Sequence, residues 1–172
     1  MEPTFNTRVI ILDRQDFREN DSRIICYSED KGKMELIARG AKKIKSKSSG
    51  HIEPLTLSRL MIIQGKDLNY VGTAAGENFY SNIKESLKKI SLAGSALALV
   101  EKMTREGELG GSSKIFNLLK FFLENLEQNN PAALTPEFFS AFEKELAVIS
   151  GFSKTDFEEL IRQSAEKKAK FY

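Results

Sequence analysis

The chain has 172 residues, 26 Lys plus Arg against 24 Asp plus Glu, one His, one Cys and no Trp. With 41% hydrophobic and 29% charged residues it has the make-up of a globular protein that buries a real core as one large domain or two small ones, not that of a disordered or collagen-like chain. The lone Cys26 excludes an intrachain disulfide and a thiolate zinc site. The most apolar stretch, Ile90 to Val100, is eleven residues long with Ser91 and Ser95 inside it, too short to span a bilayer, and Met1-Glu2-Pro3-Thr4 offers no leader, so the reading is a cytoplasmic protein without a membrane contact.

The first eighty residues read as short strands. Phe5 to Arg14 contains Val9-Ile10-Ile11-Leu12, a β-branched run suited to a strand buried on both faces. Arg23 to Ser28 is a second strand, and Glu29-Asp30-Lys31-Gly32 a turn. Lys33 to Arg39 alternates, with Met34, Leu36 and Ala38 on one face. Leu55 and Leu57 are out of phase with Leu60 and Ile62, which predicts a bulge where a fourth strand bends. Leu68 to Ala75 makes a fifth after the turn Gln64-Gly65-Lys66-Asp67. Five short strands with a bend suit a small closed barrel, the OB-fold first among them, and the face of its second and third strands would show Arg23, Lys33 and Arg39. The generic fold often has a helix between strands three and four, where this chain has a basic segment.

From about Asn82 the period becomes helical. Ile83, Leu87, Ile90, Gly94 and Leu97 fall on one stripe, with Lys84, Lys88 and Lys89 off it. Ile115, Leu118, Leu119, Phe122 and Leu126 predict a second helix from Ser112 or Ser113. Thr135, Pro136 and Glu137 start a third, which Gly151 ends, and Thr155 with Glu158 predicts a capping box for a last helix that frays over Ala165 to Lys170. The fold class is therefore α+β: an OB-fold domain over residues 1–80 and a domain of about four helices over residues 81–172, the two packed with little freedom.

Charge is uneven. Residues 1–80 carry 13 basic and 11 acidic side chains, and residues 81–172 carry 13 of each. Between Glu35 and Glu53 there is no acid, while Arg39, Lys42, Lys43, Lys45 and Lys47 are interleaved with Gly and Ser. This reads as a mobile basic loop, either a grip on a polyanion through counterion release or a solvated linker kept soluble by its lysines. Phe17, Tyr27 and Tyr70 are candidates for stacking on unpaired bases or for core packing.

Catalytic patterns are missing. His51 is the only histidine, Cys26 lies in the apolar run Ile24-Ile25-Cys26-Tyr27, and there is no Gly-rich phosphate loop. No enzyme, no cofactor and no small-molecule substrate are expected.

Phe5-Asn6-Thr7 leading into Val9-Ile10-Ile11-Leu12, then Asp16-Phe17-Arg18-Glu19, Lys31-Gly32-Lys33, Leu36-Ile37-Ala38-Arg39-Gly40-Ala41-Lys42-Lys43 and Glu53-Pro54-Leu55 resemble, in order and spacing, the N-terminal domain of the RecO family of recombination mediator proteins. The resemblance covers residues 5–80 well, is looser to Gly151-Phe152 and then stops. Many members continue with a CxxC…CxxC zinc-binding insertion, which the single Cys26 excludes here. Glu35 stands where the family often has a basic residue. The resemblance implies an OB-fold followed by helices and a role in recombinational DNA repair. It also implies binding of single- and double-stranded DNA, annealing of complementary strands, and work with RecR and single-stranded DNA-binding protein to load RecA. The nucleic-acid-binding positions carried over are Lys33, Arg39, Lys42, Lys43, Lys45 and Lys47. Two alternatives stand beside this reading. One is a protein-interaction adaptor whose helical half receives the acidic C-terminal tail of single-stranded DNA-binding protein, with Lys84, Lys88, Lys89, Lys114 and Lys120 as flanks; the other is an RNA-binding OB protein.

Overall fold

The structure, a computed structural model, describes residues 1–169, with the side chains of the last helix described to Gln163. Five strands, β1 (Thr4–Asp16), β2 (Ser22–Ser28), β3 (Gly32–Ala38), β4 (Leu57–Gln64) and β5 (Asn69–Asn78), close into a barrel in the order β1-β2-β3-β5-β4. All neighbours are antiparallel except β3 and β5. This is the OB topology that the strand count and spacing predict.

Side-chain alternation along the strands builds two cores. Val9, Ile11, Ile24, Cys26, Leu36, Ala38, Leu60 and Ile62 fill the barrel. Ile10, Leu12, Ile25, Tyr27 and Leu57 point outward and are buried as well, against Ala93, Val100, Phe116, Leu119 and their neighbours on the helices. That second partner is why Val9 to Leu12 is apolar without alternation: one face of β1 lines the barrel and the other carries the helices. A Leu or Ile to Ala change in either core costs about 2–5 kcal/mol.

The predicted bulge in the fourth strand is absent. β4 pairs with β1 without a break from Leu57 to Ile63. Leu55 precedes the strand with a φ of 63°, and Leu55 and Leu57 join the helix-facing core while Leu60 and Ile62 join the barrel interior. The phase change in the sequence thus marks a switch of core. The extra residues lie at Gly72 and Glu77 on β5, where its register against β4 slips, and near Leu12 on β1.

The helices are a single turn, α1 (Ser81–Lys84), and four longer elements: α2 (Leu87–Met103), α3 (Ser112–Gln128), α4 (Pro136–Ser150) and α5 (Lys154–Ala169). α3 buries Ile115, Phe116, Leu119, Phe122, Leu123 and Leu126, at the expected spacing. α4 has Thr135 before it, Pro136 in its first turn and Gly151 after it at φ 71°, where the glycine N–H meets the carbonyls of Ala147 and Val148.

Two helical readings are corrected. In α2 the buried face is Lys89, Ala93, Ala96, Leu97, Val100 and Met103, whereas Leu87 is 87% and Ile90 41% exposed. Leu97 is buried as the stripe predicts, but over the first turns Ala93 and Ala96 take the inner face in place of Leu87 and Ile90, and Lys89 reaches its ammonium to the carbonyl of Glu127 at 3.2 Å. α5 is capped two residues earlier than expected: the Ser153 hydroxyl takes the N–H of Asp156 at 3.2 Å and donates to its carboxylate, so the N-cap is Ser153 with Asp156. The expected fraying over Ala165 to Lys170 lies outside the described side chains. Among the described residues no helix is long and apolar enough to cross a membrane.

Candidate nucleic-acid interface

The basic segment between β3 and β4 is anchored at both ends. Ala41 at its start and Ile52 near its close are both in the barrel core. Gly40 turns the chain at φ 65°, and its N–H reaches the Asp21 carboxylate at 2.8 Å, while the Lys42 N–H reaches the Asn20 carbonyl at 3.0 Å. These bonds latch the loop to the turn between β1 and β2. At the far end a single 3-10 turn, Ser49–Ile52, occupies the place of the fold's usual helix. There the Nδ1 of His51 accepts the N–H of Gly76 at 2.9 Å, a structural use of the one histidine.

Arg14, which the sequence offers only as the end of a strand, joins the two ends of this loop. Its Nη2 donates to the carbonyl of Ala41 at 3.2 Å and its Nη1 to the carbonyl and hydroxyl of Ser49 at 3.1 and 3.2 Å. Nη1 also pairs with Glu53, and Nε donates to Ser22 Oγ at 3.1 Å. Only arginine presents enough fixed donors for this fork. The expectation of a mobile loop is therefore narrowed: the segment is tied down by one guanidinium and two apolar plugs, and Lys42 is held to the turn between β1 and β2, which leaves residues 43–48 as the projecting part.

On that projecting part, Lys43, Lys45 and Lys47 are exposed and have no ion pair or side-chain hydrogen bond among the described residues, and Ile44 between them is fully exposed. Lys42 lies 3.3 Å from the carboxylate of Asp16, which is 89% exposed. A pair so open to water is worth little and is readily exchanged for another anion. Arg39 lies at the root of the loop, its guanidinium carbon 3.9 Å from the centre of the Tyr70 ring.

Lys33 does not join this group. Its ammonium donates to the carbonyls of Glu101 at 2.8 Å and Thr104 at 3.4 Å, at the C-terminal end of α2. A cation placed there satisfies orphan carbonyls and complements the helix dipole.

The outer face of β2 and β3 is also less open than expected. Arg23 pairs with Glu35, the Glu35 N–H donates to Glu106 Oε1 at 2.6 Å, and Lys33 and Glu106 form a short parallel bridge. The segment after α2 thus covers the half of β3 that β5 leaves unpaired. Tyr27, 1% exposed, packs in the helix-facing core and is removed from the stacking candidates. Burial, with Glu106 adding to it, pushes the Cys26 thiol up to about 12, so it is a core side chain and not a nucleophile.

The fold and the loop together define an OB barrel with a cationic loop and a helical layer packed on its outer face. Residues 1–79 match the family described as "Recombination protein O N terminal". The chain is 29% identical over 145 residues to the DNA repair protein RecO of Alkaliphilus metalliredigens, covering 84% of this chain and 57% of that protein. It is 30% identical over 148 residues to that of Pelotomaculum thermopropionicum, covering 86% and 56%, and 30% identical over 141 residues to that of Geobacter metallireducens, covering 82% and 57%. Nearly half of the chain thus matches this family's N-terminal model, and the likeness to RecO proteins runs on into the helices. The chain spans somewhat more than half the length of the curated relatives it matches.

Proposed function

We propose that this chain is a non-enzymatic DNA repair and recombination mediator that binds single- and double-stranded DNA without sequence preference. The observation that carries the reading is the set of unpaired lysines, Lys43, Lys45 and Lys47, held on a loop that Arg14 fixes to the barrel, with Lys42 and Arg39 beside them. Flexible ammonium groups neutralise phosphates wherever they meet them. Base readout needs rigid bidentate donors in a groove, which lysines on a projecting loop do not supply. The same charges lower the repulsion between two strands, which supports annealing, and the likeness to DNA repair proteins supports a place in repair. In this reading the protein works with RecR and single-stranded DNA-binding protein to help load RecA. Lys33 belongs to the helix contact and not to the phosphate grip.

Replacing Lys42, Lys43, Lys45 and Lys47 together by Glu tests the assignment. Oligonucleotide binding at moderate salt should fall below detection while the melting temperature stays close to that of the parent, since Lys43, Lys45 and Lys47 are exposed and Lys42 makes only an open pair with Asp16. Undiminished binding would overturn it.

A second reading, the adaptor, has one observation in its favour. Between α3 and α4 lies a groove of about 740 Å³ lined by Leu118, Phe121, Val148 and Ile149, with Lys114, Asn117 and Glu145 also on its walls and with Phe121 and Val148 exposed. An apolar groove with a flanking cation suits an acidic tail with apolar end residues, such as that of single-stranded DNA-binding protein. Of the other flanks, Lys89 is buried, Lys88 holds the carbonyls of Pro131 and Leu134, and Lys120 pairs with Glu124. A tail peptide that bound the quadruple Glu variant as well as the parent would support the adaptor.

A further inference from the structure

The barrel half contains six arginines, and their partners divide them into two kinds. Arg8 and Arg59 share Glu77, Arg14 pairs with Glu53, and Arg23 pairs with Glu35. The side chains of Arg18 and Arg39 have no carboxylate and no hydrogen-bond partner among the described residues. Each lies instead on an aromatic ring, Arg39 at 3.9 Å from the Tyr70 centroid and Arg18 at 4.9 Å from that of Phe17.

The two stacks lie on different sides of β3, Tyr70 on β5 and Arg18 in the turn between β1 and β2. Arg39 immediately precedes Gly40, where the loop leaves β3. Arg18 lies in the β1–β2 turn whose Asn20 carbonyl holds the Lys42 N–H. Arg39 has its guanidinium carbon over the Tyr70 ring and is exposed to solvent, which leaves the side of the guanidinium away from the ring and its N–H groups for a ligand.

We propose that Arg39 on Tyr70 is a stacking platform for an unpaired nucleobase, so that this site prefers single strands to duplex. The proposal rests on the loop being a phosphate grip, and it adds a base contact that the lysines cannot make. An unpaired base can lie on the free face of the guanidinium while its phosphates meet the loop. A paired base has both faces occupied by its neighbours and must be unstacked first, which costs a few kcal/mol. Lysine in place of Arg39 keeps the charge and loses the plane.

The test uses the full chain, the Arg39→Lys variant and three probes of equal length: an oligo-dT strand, an abasic strand with the same phosphates, and a duplex. Base stacking predicts that the parent binds oligo-dT at least about fivefold more tightly than the abasic strand. Arg39→Lys should bring that ratio towards one and narrow the gap between oligo-dT and duplex, with abasic-strand affinity and its salt dependence unchanged. Matching thermal melts show that the variant is folded. If both proteins bind and show the same oligo-dT to abasic ratio, the platform is overturned and the loop assignment survives. If the parent binds none of the probes, the loop assignment falls and the platform with it.

Discussion

Arg14 Nη2 donates to the carbonyl of Ala41 at 3.2 Å, and Nη1 of the same guanidinium donates to Ser49 at the other end of the lysine loop. One side chain on a barrel strand therefore sets the shape of a segment that holds the cations away from the surface. Without it, the carbonyls of Ala41 and Ser49 lose their donor and Glu53 loses its counter-ion.

Arg14→Ala should lower stability by about 1–3 kcal/mol, the cost of leaving partly buried polar groups unpaired. It should also speed tryptic cleavage after Lys42 to Lys47 severalfold under native conditions, because the loop then opens independently of the barrel. Timed digestion followed by mass analysis checks both the rate and the sites. Cleavage at the parent's rate would show that the apolar plugs Ala41 and Ile52 suffice.

Lys33 gives a contrasting outcome from a residue of the same charge. Lys33→Met leaves the carbonyls of Glu101 and Thr104 without their donor, so stability should fall by about 1–3 kcal/mol and affinity for an oligonucleotide should hardly change. A variant as stable as the parent with weakened binding would place Lys33 on the DNA side after all.

Two carboxylates should move stability in opposite directions with pH. Burial and the neighbouring Asp13 push the Glu101 carboxyl up, against the pull of Lys33. Its charged form therefore costs stability at neutral pH, and that cost is relieved as pH falls into the carboxylate range. Asp30 is pushed up by burial but held lower overall by hydrogen bonds from Thr7 and Ser28. It contributes stability above its unfolded value, lost as pH falls through the folded one. Glu101→Gln should raise the melting temperature at pH 7 and Asp30→Asn should lower it, both differences shrinking by pH 3.

Cys26 provides a check on the barrel itself. Enclosed between Ile24 and Leu36 in the barrel core, with its thiol pushed up to about 12, it should stay unmodified by a thiol reagent in the native state and react fully in denaturant. Rapid native modification would mean that the barrel opens.

Much of this was legible in the sequence, and the failures share a cause. Val9 to Leu12, Phe122 and Gly151 announced a doubly buried strand, a helix core and a helix stop because strand and helix periods and caps act locally. The α2 stripe misled because Ala93 and Ala96 were preferred inside by close packing against α3, a tertiary preference that no hydropathy pattern shows, and Lys89 followed them in. Lys42, Lys43, Lys45 and Lys47 could be found as an acid-free run. The use made of Lys33 and Arg14 could not, since a cation that caps a distant helix and one that ties a loop look alike until the chain has folded.

The central claim is a loop of cations that grips phosphates through charge alone, and a single-strand binding titration at several salt concentrations tests it most directly. With Arg39, Lys42, Lys43, Lys45 and Lys47 engaged, log K should fall against log salt with a slope of about −3.5, from roughly −0.7 per contact, and charge reversal of the four lysines should reduce that slope to near −0.7. A parent slope near zero, or one unchanged by the reversal, would contradict the account.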